Sequence, residues 1–192
     1  MNPAETVTAY LRQSAATTTR LADEQAETIA RIAQVLIECL QAGGKVLLCG
    51  NGGSAADAEH IAGELAGRYL RDRAPLPALA LTTNTATLTA IANDYEYAEI
   101  FARQVRALAQ PGDVVMGLST SGRSTNILRA MQTARERGAH TIGFTGAQGG
   151  ALLAAVDLGL RVPATLTPII QEAHMAAAHV ICELVENALF PA

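Results

Sequence analysis

Five short, nearly all-apolar stretches, most of them running into a polar or glycine-rich turn and then into a helical pattern, constrain this chain more than any other feature. They are Lys45–Cys49, Pro77–Leu81, Val114–Leu118, Thr141–Phe144 and Asp157–Val162. Strands that alternate with helices and are apolar at almost every position are buried on both faces. The pattern therefore predicts an α/β domain with a five-stranded parallel sheet covered on either side. Helices are predicted over about 55–66, 85–92, 97–109 and 125–136, with a short one opened by Gln148-Gly149-Gly150 and a final one from near Pro168 to Leu189.

Before the first strand lies a leader without glycine from Glu5 to about Leu40. Its apolar residues Val7, Leu11, Leu21, Ile29, Ile32, Leu36 and Leu40 recur at helical spacing. Two helices, or one interrupted helix, are expected, with the β-branched run Thr17-Thr18-Thr19 as the weak point. Gly43-Gly44 ends it. Such a leader packs on the sheet or joins a bundle with a second subunit. No linker or change of composition divides the chain, so residues 1–42 are read as the helical leader of the same domain and 43–192 as its α/β body.

With 192 residues, 49% of them apolar, the chain is long enough to bury a core. Charged residues make up only 17%, which hints that some surface is buried against other copies. A net charge of −4, no basic run and few aromatics argue against a nucleic-acid partner. Cys39, Cys49 and Cys182 are scattered and odd in number, which suggests core thiols rather than disulfides or a cysteine zinc knuckle. The start, Met1-Asn2-Pro3-Ala4-Glu5, lacks a basic region followed by an apolar signal core, and no stretch is long enough to span a bilayer. A cytoplasmic protein without membrane contact is expected.

Chemistry concentrates where strands end. Ser119-Thr120-Ser121-Gly122-Arg123-Ser124 follows an apolar strand and opens a helix. One hydroxyl would serve as an N-cap. Four of them, with free amides and the positive end of a helix dipole, suit a phosphate without a buried lysine. Gly50-Asn51-Gly52-Gly53-Ser54 likewise joins a strand to a helix, but its glycine spacing is not the dinucleotide fingerprint and no acidic ribose partner is placed for it. A nicotinamide or flavin is disfavoured, and a sugar-sized ligand bridging the two loops is favoured. His60 and Glu64 share a face of the next helix. Gln171, Glu172, His174 and His179 fall in the last helix, where Gln171 and His179 are about 80° apart around the axis. Imidazole and carboxylate offer both proton transfer and metal ligation, and their spacing alone does not separate a metal site from a salt-linked helix surface. His174 is read as a solvated neighbour and His140 as structural.

The chain resembles the phosphoheptose (sedoheptulose 7-phosphate) isomerases within the SIS group of sugar-phosphate-binding domains. The likeness covers nearly its whole length and is densest in Cys49-Gly50-Asn51-Gly52-Gly53-Ser54-Ala55-Ala56-Asp57-Ala58-Glu59-His60, Leu88-Thr89-Ala90-Ile91-Ala92-Asn93-Asp94-Tyr95, Ser119-Thr120-Ser121-Gly122 and Ile170-Gln171-Glu172-Ala173-His174. That resemblance implies an SIS-type three-layer sandwich preceded by N-terminal helices, assembled as a homotetramer with active sites between subunits. It implies one zinc per subunit on His60, Glu64, Gln171 and His179. It places phosphate contacts on Ser119, Thr120, Ser121 and Ser124, and sugar contacts on Asn51, Gly52, Gly53, Asn93, Asp94 and Gln171. Glu64 and His179 become the acid–base pair of an enediolate isomerisation that supplies heptose to bacterial surface glycans such as lipopolysaccharide. Pro168-Ile169-Ile170-Gln171, Asn84 and Arg123 depart from the pattern usual in such relatives.

The alternative is a non-enzymatic SIS-type tetrameric regulator that binds the replication initiator protein. It shares even an ending like Leu189-Phe190-Pro191, but at the positions matching Glu64 and His179 it carries residues unable to do acid–base work. Retention of both favours the isomerase. Sensing domains of this group usually accompany a DNA-binding module, which is not visible here, and isomerases of pentose or hexose phosphates are the remaining neighbours.

Overall fold

The computed structural model describes residues 2–191, so Met1 and Ala192, the outer ends of the two stretches read above, lie outside the described residues. Five parallel strands, β1 (Val46–Gly50), β2 (Ala78–Ala80), β3 (Val114–Leu118), β4 (His140–Thr145) and β5 (Leu158–Arg161), form one sheet in the order β2-β1-β3-β4-β5. Val46 pairs with Ala78 on one side and Val114 on the other, and Val114 pairs in turn with His140. The strands are uniformly apolar because both faces are covered. Val46 and Leu48 point into one core with Val114 and Met116, while Leu47, Cys49 and Val115 point into the other.

The first core is closed by three helices, α1 (Pro3–Gln41), α2 (Gly53–Ala66) and α7 (Thr167–Leu189). The second lies under α3 (Thr85–Asp94), α4 (Ala102–Leu108), α5 (Thr125–Glu136) and α6 (Gly150–Ala155). This is the expected three-layer α/β sandwich. All three cysteines are buried, and burial pushes the thiols of Cys49 and Cys182 up to about 12 and that of Cys39 to about 11.

The leader differs from expectation: α1 is one unbroken helix, capped by the reciprocal Asn2 and Glu5 box. The threonine run does not interrupt it: each hydroxyl is satisfied by its own helix, and Thr17 packs into the buried face. Thr17 donates to the Gln13 carbonyl at 2.9 Å, and Thr18 and Thr19 to those of Ser14 and Ala15 at 3.1 Å. The C-terminal half of α1 buries Ile29, Ile32, Ala33 and Leu36, whereas Val7 and Leu11 near its start remain 57% and 60% exposed. The helix predicted over 97–109 is also divided. A 3-10 turn, Tyr97–Glu99, precedes α4, because Ile100 and Phe101 turn into the core while Arg129 holds Glu96 and Glu99 from the side.

α2 and α7 are clasped by a buried ion pair, Arg73 Nε to Glu186 Oε2 at 3.0 Å, with both side chains 2% exposed. Glu186 accepts from the amides of Tyr69, Leu70 and Arg71, and Arg73 donates to the carbonyls of Glu64, Leu65, Gly67 and Ala74 at the end of α2 and beyond it. Burial by itself would raise the Glu186 carboxyl, but the amides and Arg73 outweigh it and hold the group below its usual value. Glu186→Ala strands the guanidinium and three amides, and is expected to cost about 3–5 kcal/mol of unfolding free energy. Urea denaturation measures it, and a loss below about 1 kcal/mol contradicts this account of the clasp.

Candidate functional site

In this strand order the winding reverses between β1 and β3, and open α/β sheets hold ligands outside the carboxyl ends of their strands at such a point. The two loops leaving these strands meet there. Asn51 Nδ2 donates to Asn126 Oδ1 at 2.9 Å and Asn126 Nδ2 returns the bond to Asn51 Oδ1 at 2.8 Å; the Tyr97 hydroxyl also donates to Asn51 Oδ1 at 2.9 Å. Asn51 thereby braces three segments. Asn126 and Tyr97 were not singled out from the sequence, since an asparagine inside a helix carries no signal until the opposite loop is known.

The hydroxyl-rich loop forms one wall of a cavity of about 150 Å³ between the ends of β3, β4 and β5 and the start of α7. Thr120 and Ser121 line it, facing Gln148, Thr165, Thr167 and Ile170. Ser119 is buried and shares a 3.0 Å hydrogen bond with Ser124 Oγ, so these two hold the loop from behind. The loop is shaped by Gly122, at φ +64°, where a Cβ would meet the Gly149 carbonyl at 2.0 Å. A second cleft, of about 250 Å³, opens on the other side of β1 and is lined by Asn51, Gly52, Glu59, Thr82, Leu88 and Tyr97 among others. Asn93 and Asp94 are exposed at the end of α3, joined by a 2.9 Å bond, next to Ala92 of that cleft.

His60, Glu64 and His179 converge from α2 and α7. His60 Nε2 lies 3.0 Å from Glu64 Oε1 and 3.3 Å from His179 Nε2, and one ligand atom of each residue lies within 4.8 Å of the others. The Tyr69 ring stacks on His179 with centroids 6.0 Å apart. Two imidazole nitrogens on tetrahedral zinc, each about 2.0–2.1 Å from the metal, stand roughly 3.3 Å apart, so the donor set and its spacing fit zinc. On the same face of α2, Asp57 has one carboxylate oxygen buried without a partner. Burial pushes its carboxyl up to about 6, opposed by the nearby His60. The sequence reading passed over Asp57, although its position one turn before His60 was available as a signal.

Gln171 sits elsewhere on α7, so close to α2 that a Cβ on Gly53 would lie 2.2 Å from its Nε2. It precedes His179 by about 12 Å of helix rise. The site residues of one chain therefore fall into three groups along the α2–α7 seam and the strand ends, with Gln171 between the phosphate-sized cavity and the histidines. Glu172 accepts from Tyr10 and Ser14 and ties α7 to α1. His174 is not a solvated neighbour: it is fully buried, packs on Phe144, and places Nε2 3.2 Å from the Thr145 carbonyl. α7 presses it onto the end of β4, which helical spacing alone did not show. His140 is exposed at the first position of β4, at the sheet end remote from these groups.

Parallel strands with a hydroxyl-lined cavity at their ends are the frame of a sugar-phosphate-binding α/β protein, and the SIS domain model matches residues 9–146. The chain belongs to the phosphoheptose isomerases of that family. It is 58% identical over 164 residues to the phosphoheptose isomerase of Rhodospirillum rubrum, covering 85% of this chain and 87% of the relative. It is 56% identical over 171 residues to that of Roseiflexus sp., covering 89% and 87%. Among solved structures, the phosphoheptose isomerase of Neisseria gonorrhoeae superposes with a TM-score of 0.92 at 41% identity, and that of Francisella tularensis with 0.94 at 37%. Each comparison covers 97% of this chain and 100% of the other.

Burial lowers the His174 imidazole to about 4 from an ordinary 6.5, against the opposing pull of the Thr145 carbonyl. The unfolded chain thus takes up this proton first, so the stabilisation is complete above about pH 6.5 and is lost as the pH falls toward 4, up to about 3 kcal/mol. His174→Gln keeps a donor for Thr145 but cannot titrate. Its melting temperature is expected to lie below that of the parent at pH 7, with the gap narrowing by pH 5. A gap that stays constant would remove His174 as the source.

Proposed function

We propose that this chain isomerises D-sedoheptulose 7-phosphate to D-glycero-D-manno-heptose 7-phosphate with Glu64 and His179 as its acid–base pair and the 119–124 loop as its phosphate holder. Family membership makes it an aldose–ketose isomerase of a phosphorylated heptose. The observation that carries the assignment of residues is the convergence of His60, Glu64 and His179 from two helices, α2 and α7, the second of which also walls the phosphate-sized cavity with Thr167 and Ile170 near its start.

The reaction needs no redox partner. A base removes a proton from C1 of the open-chain ketose, the electron pair moves to give a cis-enediolate, and a proton returned to C2 gives the aldose. Glu64 and His179 are within reach of one another's neighbour His60 and can exchange such protons on a substrate laid across them. His60, Glu64 and His179 would hold zinc, with Gln171, about two turns earlier on α7, completing the set only when its side chain turns from Gly53 toward them. Zinc so held would supply Lewis-acid stabilisation of the developing negative charge, and whichever of Glu64 and His179 ligates it is not the one that carries the proton. Of the phosphate loop Ser119, Thr120, Ser121 and Ser124, Thr120 and Ser121 face the phosphate while Ser119 and Ser124 shape the loop behind them. Asn51, Gly52, Gly53, Asn93, Asp94 and Gln171 orient the sugar, so binding energy remote from the reacting carbons fixes a flexible chain. Asn51 contributes through its backbone, its side chain being committed to Asn126 and Tyr97.

A homotetramer in the cytoplasm completes the reading, with residues 1–42 as the assembly leader and 43–192 as the sugar-phosphate unit. Supporting it are the exposed Val7 and Leu11 on α1, and the exposed Val180 and Leu184, 47% and 38%, on the helix that carries His179. Among the described residues no helix is long and apolar enough to cross a membrane. Neither the site nor the relatives quoted speak for the initiator-binding regulator.

Incubation with sedoheptulose 7-phosphate is expected to yield the aldose, and Glu64→Gln and His179→Ala each to lower kcat by about 100-fold or more, with the sedimentation behaviour of a tetramer retained. His60→Ala is expected to reduce bound zinc as measured by atomic absorption. Undiminished turnover in both Glu64→Gln and His179→Ala would sink the assignment of the pair.

A further inference from the structure

The phosphate-sized cavity is lined by hydroxyls, an amide and apolar groups, with no charged side chain among its walls. A phosphate monoester near neutral pH carries close to two negative charges. Hydroxyls and amides can bind it, but they offer no net charge to draw it in or to distinguish it from a neutral sugar. A cation stands at the rim. Arg123 is exposed, and its Nη2 donates to Oε1 of Gln148, a wall residue of that cavity, at 2.6 Å.

The backbone beneath this arginine is tightly constrained. Its own amide donates to Ser121 Oγ at 3.2 Å, and Ser121 is a wall residue too. The preceding Gly122 is pressed against the Gly149 carbonyl and accepts from the Leu152 amide at 2.9 Å. The guanidinium is thus anchored between the two loops that wall the cavity, and the remaining freedom lies in its side chain. Its partner is a neutral amide oxygen, which a phosphate oxygen outcompetes as an acceptor. Arg20, on the far side of the neighbouring strand end, is already committed to Glu24 at 2.8 Å and to the Pro163 carbonyl.

We infer that Arg123 is the phosphate-recognising cation of this enzyme: its guanidinium exchanges Gln148 for the phosphate of the incoming sugar and sets affinity and selectivity for the doubly charged ester. This rests on the reading of the 119–124 loop as the phosphate site. Because the phosphate lies at the opposite end of the heptose from C1 and C2, the contribution is to capture and positioning, and falls mainly on KM. Being exposed, the charge is screened by salt.

The test compares the parent with Arg123→Asn and Arg123→Lys. For Arg123→Asn, KM for sedoheptulose 7-phosphate is expected to rise about tenfold at low salt, with kcat changing less than about twofold. The increase of KM with ionic strength in the parent is expected to flatten in this variant, and Arg123→Lys to recover part of both effects. Inorganic phosphate as a competitive inhibitor separates the two ideas. If it inhibits the parent and weakens about as much as KM rises in Arg123→Asn, the inference stands. If it inhibits the parent and Arg123→Asn equally, or if KM and its salt dependence are unchanged, Arg123 has no such role while the loop remains the phosphate site. If it inhibits neither enzyme, the phosphate reading of the loop falls, and this inference with it.

Discussion

The packing of α2 against α7 is the constraint on which the rest of the molecule depends. These helices lie side by side on one sheet face, and everything proposed for the reacting end of the substrate hangs from them. Their separation is fixed by a buried carboxylate and guanidinium, Glu186 and Arg73, each of which satisfies several backbone groups as well as the other. A bare buried ion pair is poor evidence of stability, because desolvation offsets the attraction. Here the remaining hydrogen-bonding capacity is spent on the end of α2 and the chain leaving it, whose amides and carbonyls have no partners within the helix. Arg73 bonds the carbonyl of Glu64 itself, and Tyr69, one of the residues held by Glu186, stacks on His179. The clasp that closes the fold therefore also sets the spacing of the three side chains suited to a metal.

The strand ends divide the labour in a different way. The cavity walled by Thr120 and Ser121 is built from backbone clasped to backbone, with Gly122 pressed on Gly149, and can hold an anion without a buried charge. The Asn51 and Asn126 pair ties this region to the loop that opens α2. Gln171, packed on Gly53 between the two regions, is the polar side chain that links them. His60 is exposed and His179 half-buried beside it, and the exposed Val180 and Leu184 follow on α7, so this cluster lies at the flank of the single chain.

Much of this was legible because the relevant signals are local. The five strands were identified within a residue or two, since apolar runs bounded by glycine or hydroxyl clusters need no knowledge of partners. The excess of hydroxyls in the 119–124 loop over what a cap requires singled out a loop whose Thr120 and Ser121 do line a cavity at the strand ends. The misreadings are equally instructive. Thr17-Thr18-Thr19 looked like a break because β-branching disfavours a helix, but the back-bonded hydroxyls and the packing of Thr17 overrode a propensity of a few tenths of a kcal/mol. The helix expected over 97–109 was divided by contacts from Arg129, thirty residues away in sequence. His174 passed as a surface residue because helical spacing gives its azimuth but not what lies against it.

What the sequence determined by itself was the class of the sheet, the places where loops meet helices, and which loop gathers the most hydroxyls, since each is set by residues within one turn or one strand. The tertiary structure decided which histidines are solvent-facing and which is sealed, that Asp57 carries an unpartnered buried oxygen, that the Asn51 side chain is a brace, and that Arg123 stands at the rim of a cavity with uncharged walls. Those outcomes depend on distances between groups far apart in the chain, and such distances are fixed only when both sheet faces have been packed and the seam between α2 and α7 has closed.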